Sequence, residues 1–220
     1  MPENRRFVEL SHVIRAGMIT YPGLPAPVIT PHLTREDSRS RYAPGTEFAM
    51  DIITMIGNTG TYLDSPWHRY EGGTDLAGLA LETLVDLPTE VFHLGGVRAI
   101  EPSLLVDREL AGKAVLLDTG WAVHFGTPAY QTGAPYLSAA GVDFLIESGV
   151  VLVGIDSLNI DNTEGTGERP AHTRLLDAGI HVVEHLTGLG VLPDSGARFT
   201  ATPPLVAGFG TFPVRAYARI

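Results

Sequence analysis

The sequence predicts a sheet-rich α/β domain in which a few helices pack outside the sheet. Short apolar runs broken by glycine and proline recur along the whole chain, and few segments have the spacing of a long helix. The 220 residues are 44% hydrophobic, which is ample for a core, and they contain no internal repeat or linker. We therefore expect a single domain spanning residues 1–220.

Eight apolar runs are predicted to be strands: residues 7–13, 48–56, 91–94, 114–118, 150–155, 180–183, 198–202 and 213–218. One longer helix is predicted between Ser138, which can cap it, and Gly149, which can end it. Shorter helices are predicted over residues 173–178 and 102–106. Segment 19–45 contains five prolines, so an extended excursion or flap is expected there.

The composition excludes several classes of function. The formal net charge is −10 and the chain has a single lysine, so neither nucleic acid nor an anionic membrane is expected as a partner. No apolar run approaches the length of a membrane span, and the polar N-terminus lacks the pattern of a secretion signal, which favours the cytoplasm. With no cysteine, any metal must bind to His, Asp, Glu, Asn or backbone oxygen.

The most informative segment is 57–68, a glycine-rich turn that directly follows the apolar run 52–56. It carries Asp64 and His68. A strand that delivers a carboxylate and an imidazole on such a turn can direct an acid/base pair or metal ligands into a pocket.

A second group of polar residues lies downstream. His172 and Glu184 stand at the two ends of a predicted helix–strand unit. On spacing alone, surface polar groups are the simpler interpretation. Strand alternation predicts that His185 points away from the side on which Glu184 lies.

Segment 58–68 resembles the signature of the cyclase family, the metal-dependent hydrolases that include kynurenine formamidase and isatin hydrolase. That signature reads His-x-Gly-Thr-His-x-Asp-x-Pro-x-His, and the corresponding residues are Asn58, Gly60, Thr61, Tyr62, Asp64, Pro66 and His68. The spacing of twelve between His172 and Glu184 also matches the family. Further resemblance lies in Leu10-Ser11-His12, Tyr21-Pro22-Gly23, Thr119-Gly120-Trp121, Gly154-Ile155-Asp156-Ser157 and Pro213-Val214-Arg215-Ala216.

The resemblance implies a swivelling β/β/α domain, a small-molecule substrate and a homodimer or homotetramer. It also implies that Asp64, His172 and Glu184 are the ligands of one metal and that His68 is the acid/base. Substrate contacts are expected from Tyr21, Asn58 and Trp121.

The chain departs from the family at Asn58 and Tyr62, which replace the two histidines that hold a second metal. An amide oxygen is a poor ligand for zinc, and a tyrosine ligates only if its pKa is lowered from about 10. Tyrosine is also larger than histidine, and its hydroxyl could instead donate to Asp64 or to a substrate oxygen. We therefore expect at most one divalent ion, zinc or manganese, or none.

Three functions are compatible with this pattern. The first is hydrolysis of a small amide, formamide, lactam or lactone, with His68 moving the proton. The second is a metal-free cyclase, dehydratase or isomerase in which Asp64 or Glu184 acts with His68, while Tyr62 and Asn58 donate hydrogen bonds. The third is a non-catalytic protein that binds a small molecule.

Overall fold

The computed structural model describes residues 6–220. The strands of this part are β1 (Phe7–Glu9), β2 (Val28–Leu33), β3 (Met50–Thr54), β4 (Tyr62–Asp64), β5 (Leu87–His93), β6 (Ala99–Ile100), β7 (Ala114–Asp118), β8 (Tyr136–Leu137), β9 (Leu152–Ile155), β10 (His181–Glu184), β11 (Ser195–Thr200), β12 (Thr211–Pro213) and β13 (Tyr217–Arg219). The α-helices are α1 (Arg35–Arg39), α2 (Ala139–Glu147) and α3 (Pro170–Asp177).

Nine strands form one mixed sheet in the order β1-β13-β11-β5-β7-β9-β10-β4-β12. The central strands β5, β7, β9 and β10 are parallel, whereas β4 and the strands at both ends pair antiparallel. Strands β7 and β9 are apolar on both faces because each face is covered by its own core. The predicted sheet-rich α/β fold with a few helices is confirmed.

Two elements predicted from the sequence, one strand and the longer helix, are present at the predicted positions. Residues 114–118 coincide with β7. The longer predicted helix is α2, and Ser138 caps it by accepting a hydrogen bond from the Gly141 amide at 3.0 Å. Segment 102–106 contains only a 3-10 turn over Pro102–Leu104.

The predicted strand 213–218 is wrong as one element, because it divides into the end of β12 and the start of β13. The intervening residues change partners: the Val214 amide donates to the Thr61 carbonyl, and the Ala216 amide donates to the Ser11 hydroxyl. The chain thus leaves the β4 side of the sheet and joins the β1 side, which local sequence does not reveal.

Segment 19–45 contains β2 and the short helix α1, which begins after the capping residue Thr34. Strand β2 pairs with β3 in a two-stranded ribbon separate from the main sheet. Its apolar side chains are largely exposed; those of β3 include Ile52 and Ile53, each 48% exposed. Neighbouring strand residues point to opposite faces, so both faces of the ribbon expose apolar surface.

No helix in residues 6–220 combines the length and the apolar character needed to cross a membrane.

Candidate functional site

Strand β4 was not predicted, and it organises the site. It lies between β10 and β12, and the register places Tyr62 opposite Glu184 and Asp64 opposite Thr211. Residues two apart on a strand share a face, as do directly opposed residues of neighbouring strands. Tyr62, Asp64, Glu184 and Thr211 therefore share one face of the sheet.

A pocket of about 650 Å³ opens above this face. Its lining includes six of the residues singled out from the sequence: Tyr21, Asn58, Tyr62, His68, His172 and Glu184. Asp64 is fully buried beside the pocket, with Oδ1 3.6 Å from His68 Nδ1 and Oδ2 3.6 Å from His172 Nε2. Trp121 lies outside this lining, where its indole donates to the Tyr130 carbonyl at 3.0 Å.

His172 lies in the first turn of α3 and is oriented by Asp161. The Asp161 carboxylate accepts hydrogen bonds from the backbone amides of Ala171 (2.7 Å) and His172 (3.1 Å). It also lies 2.7 Å from His172 Nδ1. Since a carboxylate accepts, Nδ1 carries a proton, and Nε2 is the nitrogen that faces Asp64 and Glu184, where it can bind a second proton or a metal ion.

Sequence reasoning missed Asp161. Its signal is weak, because a loop separates it from α3 and only the folded loop brings its carboxylate to the helix N-terminus.

Glu184 is buried and held by two strong donors. The Ile160 amide donates to Oε1 and the Tyr62 hydroxyl donates to Oε2, each at 2.7 Å. Burial raises the pKa of Glu184 to about 7, and the nearby Asp64 charge adds to this, although His172 acts in the opposite direction.

The cluster requires a positive charge at its centre. His172 Nε2 lies 3.6 Å from Asp64 Oδ2 and 3.6 Å from Glu184 Oε1, beyond direct hydrogen bonding. Within residues 6–220, Asp64 Oδ2 has no hydrogen-bond partner at all. Burying an unpaired carboxylate is costly, so either a proton on His172 or a metal ion must compensate these charges.

The pKa shifts of His172 and Asp64 also indicate that a cation compensates the buried carboxylates. Burial opposes a charge on His172, but Glu184, Asp161 and Asp64 together raise its pKa well above the ordinary value. Burial also opposes ionisation of Asp64, but His172, His68 and the Thr211 hydroxyl lower its pKa overall. An ionised Asp64 beside a cation is the arrangement that these groups favour.

The same residues fit one divalent metal ion. Asp64, His68 and His172 can each offer one ligand atom, and these atoms lie within 4.8 Å of one another. Glu184 Oε1 lies 3.6 Å from His172 Nε2 and can offer a further ligand atom. Mixed imidazole and carboxylate ligands suit zinc and manganese, and a histidine whose second nitrogen donates to a carboxylate is typical of metal sites.

Thr211, which sequence reasoning also missed, connects Asp64 to His68. Its hydroxyl contacts Asp64 Oδ1 closely and lies 2.7 Å from His68 Nδ1. Because ionised Asp64 only accepts, the single hydroxyl proton points to Asp64, and His68 Nδ1 must donate to Thr211. In the neutral ring, the lone pair that a general base needs is therefore on His68 Nε2.

The Tyr62 hydroxyl donates its hydrogen bond to Glu184. Asp64 was one of the expected acceptors, but the strand register places Tyr62 opposite Glu184. Burial raises the pKa of Tyr62 well above its ordinary value, with Glu184 adding to the effect. Tyr62 therefore stays a neutral phenol, which is a poor metal ligand.

A buried polar chain supports Tyr62 from behind. His185 Nε2 lies 3.2 Å from the Tyr62 hydroxyl, and the Tyr130 hydroxyl lies 2.9 Å from His185 Nδ1. Burial lowers the pKa of His185 to about 3, so its ring is neutral. His185 has φ 56°, so the strand alternation ends at Glu184, and the ring packs behind Tyr62 without lining the pocket.

Comparison with known proteins places this architecture in a family. The model of the Cyclase family matches residues 8–162. Kynurenine formamidase of Bacillus thuringiensis subsp. konkukian is 28% identical over 97% of both chains. The kynurenine formamidase of Geobacillus thermodenitrificans is 32% identical over 76% of this chain and 78% of its own.

A solved structure shows the same fold. Isatin hydrolase A from Labrenzia aggregata, bound to benzyl benzoate, superimposes with a TM-score of 0.83 at 21% identity, over 98% of this chain and 94% of that one. This similarity confirms the family fold that the signature implied. The match over residues 8–162 and the shared architecture together show that the chain belongs to the cyclase family of enzymes.

Proposed function

We propose that this enzyme hydrolyses the acyl C–N or C–O bond of a small carbonyl compound, with formamides as the first substrate class and other amides, lactams or lactones as related ones. The observation that carries the proposal is the buried Asp64–His172–Glu184 cluster, which requires a cation and borders an open pocket beside His68. The similarity to two kynurenine formamidases supports the choice of formamide.

Each residue has a defined task in this reaction. A divalent ion on Asp64, His172 and Glu184 would polarise the carbonyl and lower the pKa of a bound water. His68 Nε2 removes the proton of the attacking water and then delivers it to the departing nitrogen. Thr211 and Asp64 hold His68 in the tautomer that can do this.

The remaining pocket residues bind and orient the substrate. Tyr21 and Asn58 line the pocket, which supports their assignment to substrate contact. The Tyr62 hydroxyl keeps Glu184 in place and is its strongest side-chain donor. A substrate contact by Trp121 stays a prediction.

A metal-free reaction is the second candidate, and the raised pKa of His172 supports it. A proton on His172 would compensate Asp64 and Glu184 without a metal. Glu184, with its pKa near 7, would then be matched to work as a general base at neutral pH in a cyclisation, dehydration or isomerisation.

The oligomeric state proposed here is a homodimer or homotetramer in the cytoplasm, with the β2–β3 ribbon as the contact surface. An isolated two-stranded ribbon is marginally stable in water. This one exposes Ile52, Ile53, Val28 and Ile29 at 44–54%. Burial against a second copy would stabilise it by removing this apolar surface from water.

The metal content tests the first candidate against the second. We expect one zinc or manganese ion per chain after dialysis, measured by elemental analysis, and loss of that ion in His172→Ala. Two tightly bound equivalents would contradict the reading of Tyr62 and Asn58 as non-ligands. A metal-free protein that still turns over substrate would favour the second candidate.

His68→Ala should lower kcat for formamide hydrolysis by about 10²–10⁴-fold, because general acid–base groups typically contribute this much. Thr211→Val keeps the imidazole but removes the hydroxyl that sets its tautomer, so a smaller loss is expected. His93→Ala is the control, since His93 lies on the surface beside Asp118. Near-native turnover in a folded His68→Ala protein would refute the role.

Tyr62→Phe removes one hydroxyl with almost no change in volume. A hydrogen bond to a charged group is worth about 1.5–3 kcal/mol, so we expect turnover to fall about 10- to 100-fold. Tyr70→Phe is the matched control, because the Tyr70 hydroxyl donates to the Thr173 carbonyl outside the pocket lining. Unchanged turnover in Tyr62→Phe would mean that the tyrosine only packs.

Ile52→Glu/Ile53→Glu should shift the protein toward monomer in size-exclusion chromatography with light scattering, since a charge on each ribbon face opposes burial. Val191→Glu is the control, because Val191 is also exposed but lies on a 3-10 turn elsewhere. If the wild-type protein is a monomer, or if the double variant assembles normally, the ribbon is not the interface.

A further inference from the structure

The pocket is lined by two arginines that have no role in the proposed reaction. Arg69 directly follows His68, and Arg169 precedes α3, the helix that carries His172. Arg69 is exposed and Arg169 is half-buried, whereas Asp64 and Glu184 are buried. Both arginines thus lie at the solvent-facing rim of the pocket, nearer to solvent than the two buried carboxylates.

Neither arginine is neutralised by an acidic side chain. Arg69 Nε donates to the Thr173 hydroxyl at 3.3 Å, and Arg169 Nη1 donates to the backbone carbonyls of Asn162 and Glu168 at 3.1 and 2.9 Å. Within residues 6–220, no carboxylate oxygen lies within 4.0 Å of either guanidinium group. By contrast, Arg174 in helix α3 forms an ion pair with Asp143 at 2.8 Å.

These contacts hold the arginines in place but leave most of their donors unused. A guanidinium has five N–H donors, and neutral hydroxyl and carbonyl partners leave its charge uncompensated. Glu168 also lines the pocket, so the two arginines and this acidic residue together carry one net positive charge. In a chain of formal net charge −10, that local excess favours an anion.

We propose that Arg69 and Arg169 form a subsite for a carboxylate on the substrate, so that the preferred substrates are anionic formamides or amides. This rests on the proposed hydrolysis at the same pocket. The carboxylate binds at the rim, and the carbonyl to be hydrolysed reaches His68 and the Asp64–His172–Glu184 cluster below. Arginine suits this task because its planar donors match the two oxygens of a carboxylate.

A pair of probes that differ only in charge tests the subsite. 2-Formamidobenzoate and 2-formamidobenzamide have the same size, and only the first has a carboxylate. We expect wild-type kcat/KM to be on the order of tenfold higher for the carboxylate, and this ratio to fall toward one in Arg69→Gln/Arg169→Gln. Arg174→Gln is the control and should keep the wild-type ratio, because Arg174 faces Asp143 away from the pocket.

Binding of the corresponding products separates this subsite from the reaction itself. Isothermal titration with 2-aminobenzoate and 2-aminobenzamide should show the same preference in the wild type, its loss in the double glutamine variant, and its retention in Arg69→Lys/Arg169→Lys. Failure to hydrolyse either formamide would refute the proposed reaction, and the binding ratio would still decide on the arginines. Equal affinities in the wild type, or a preference that persists in the double glutamine variant, would overturn the subsite.

Discussion

The buried carboxylates Asp64 and Glu184 meet at a single imidazole nitrogen, and the geometry around the pocket depends on how that charge is compensated. His172 Nε2 lies 3.6 Å from each carboxylate, and Asp64 Oδ2 has no other partner within residues 6–220. Two buried negative charges without a cation would destabilise the fold by several kcal/mol, on the order found for unpaired buried ions. Either a proton or a metal ion on His172 Nε2 would therefore compensate these charges.

The hydrogen bonds around this cluster orient the two histidine rings that face the central charge. Asp161 caps α3 and fixes the proton of His172 on Nδ1. Thr211 does the same for His68, because its hydroxyl donates a hydrogen bond to Asp64 and accepts one from His68 Nδ1. In both cases the group behind the imidazole keeps a proton on Nδ1, so Nε2 is the nitrogen available to bind a further proton or a metal ion. The two histidines, whose ring centres are 5.9 Å apart, thus present basic nitrogens for different tasks.

Tyr62 shows how the chain departs from its relatives while keeping the site intact. Tyr62 stands where the family signature has a histidine, and burial raises its pKa well above the ordinary value, so its side chain is a neutral phenol. The same hydroxyl donates a hydrogen bond to Glu184 and accepts one from the neutral His185 ring. A buried chain of hydrogen bonds thereby runs from Glu184 through Tyr62 and His185 to Tyr130.

The sequence alone determined the fold class and the family and singled out candidate residues of the site, since glycine spacing, the signature and the His172–Glu184 interval are local patterns. It could not reveal β4, a strand of three residues whose register sets Tyr62 against Glu184 and Asp64 against Thr211. Asp161 and Thr211 were likewise invisible, because their partners lie across loops or up to 147 residues away. Side-chain partnership across a sheet is set by register and by the packing of α3, and neither is encoded in the spacing of any one segment.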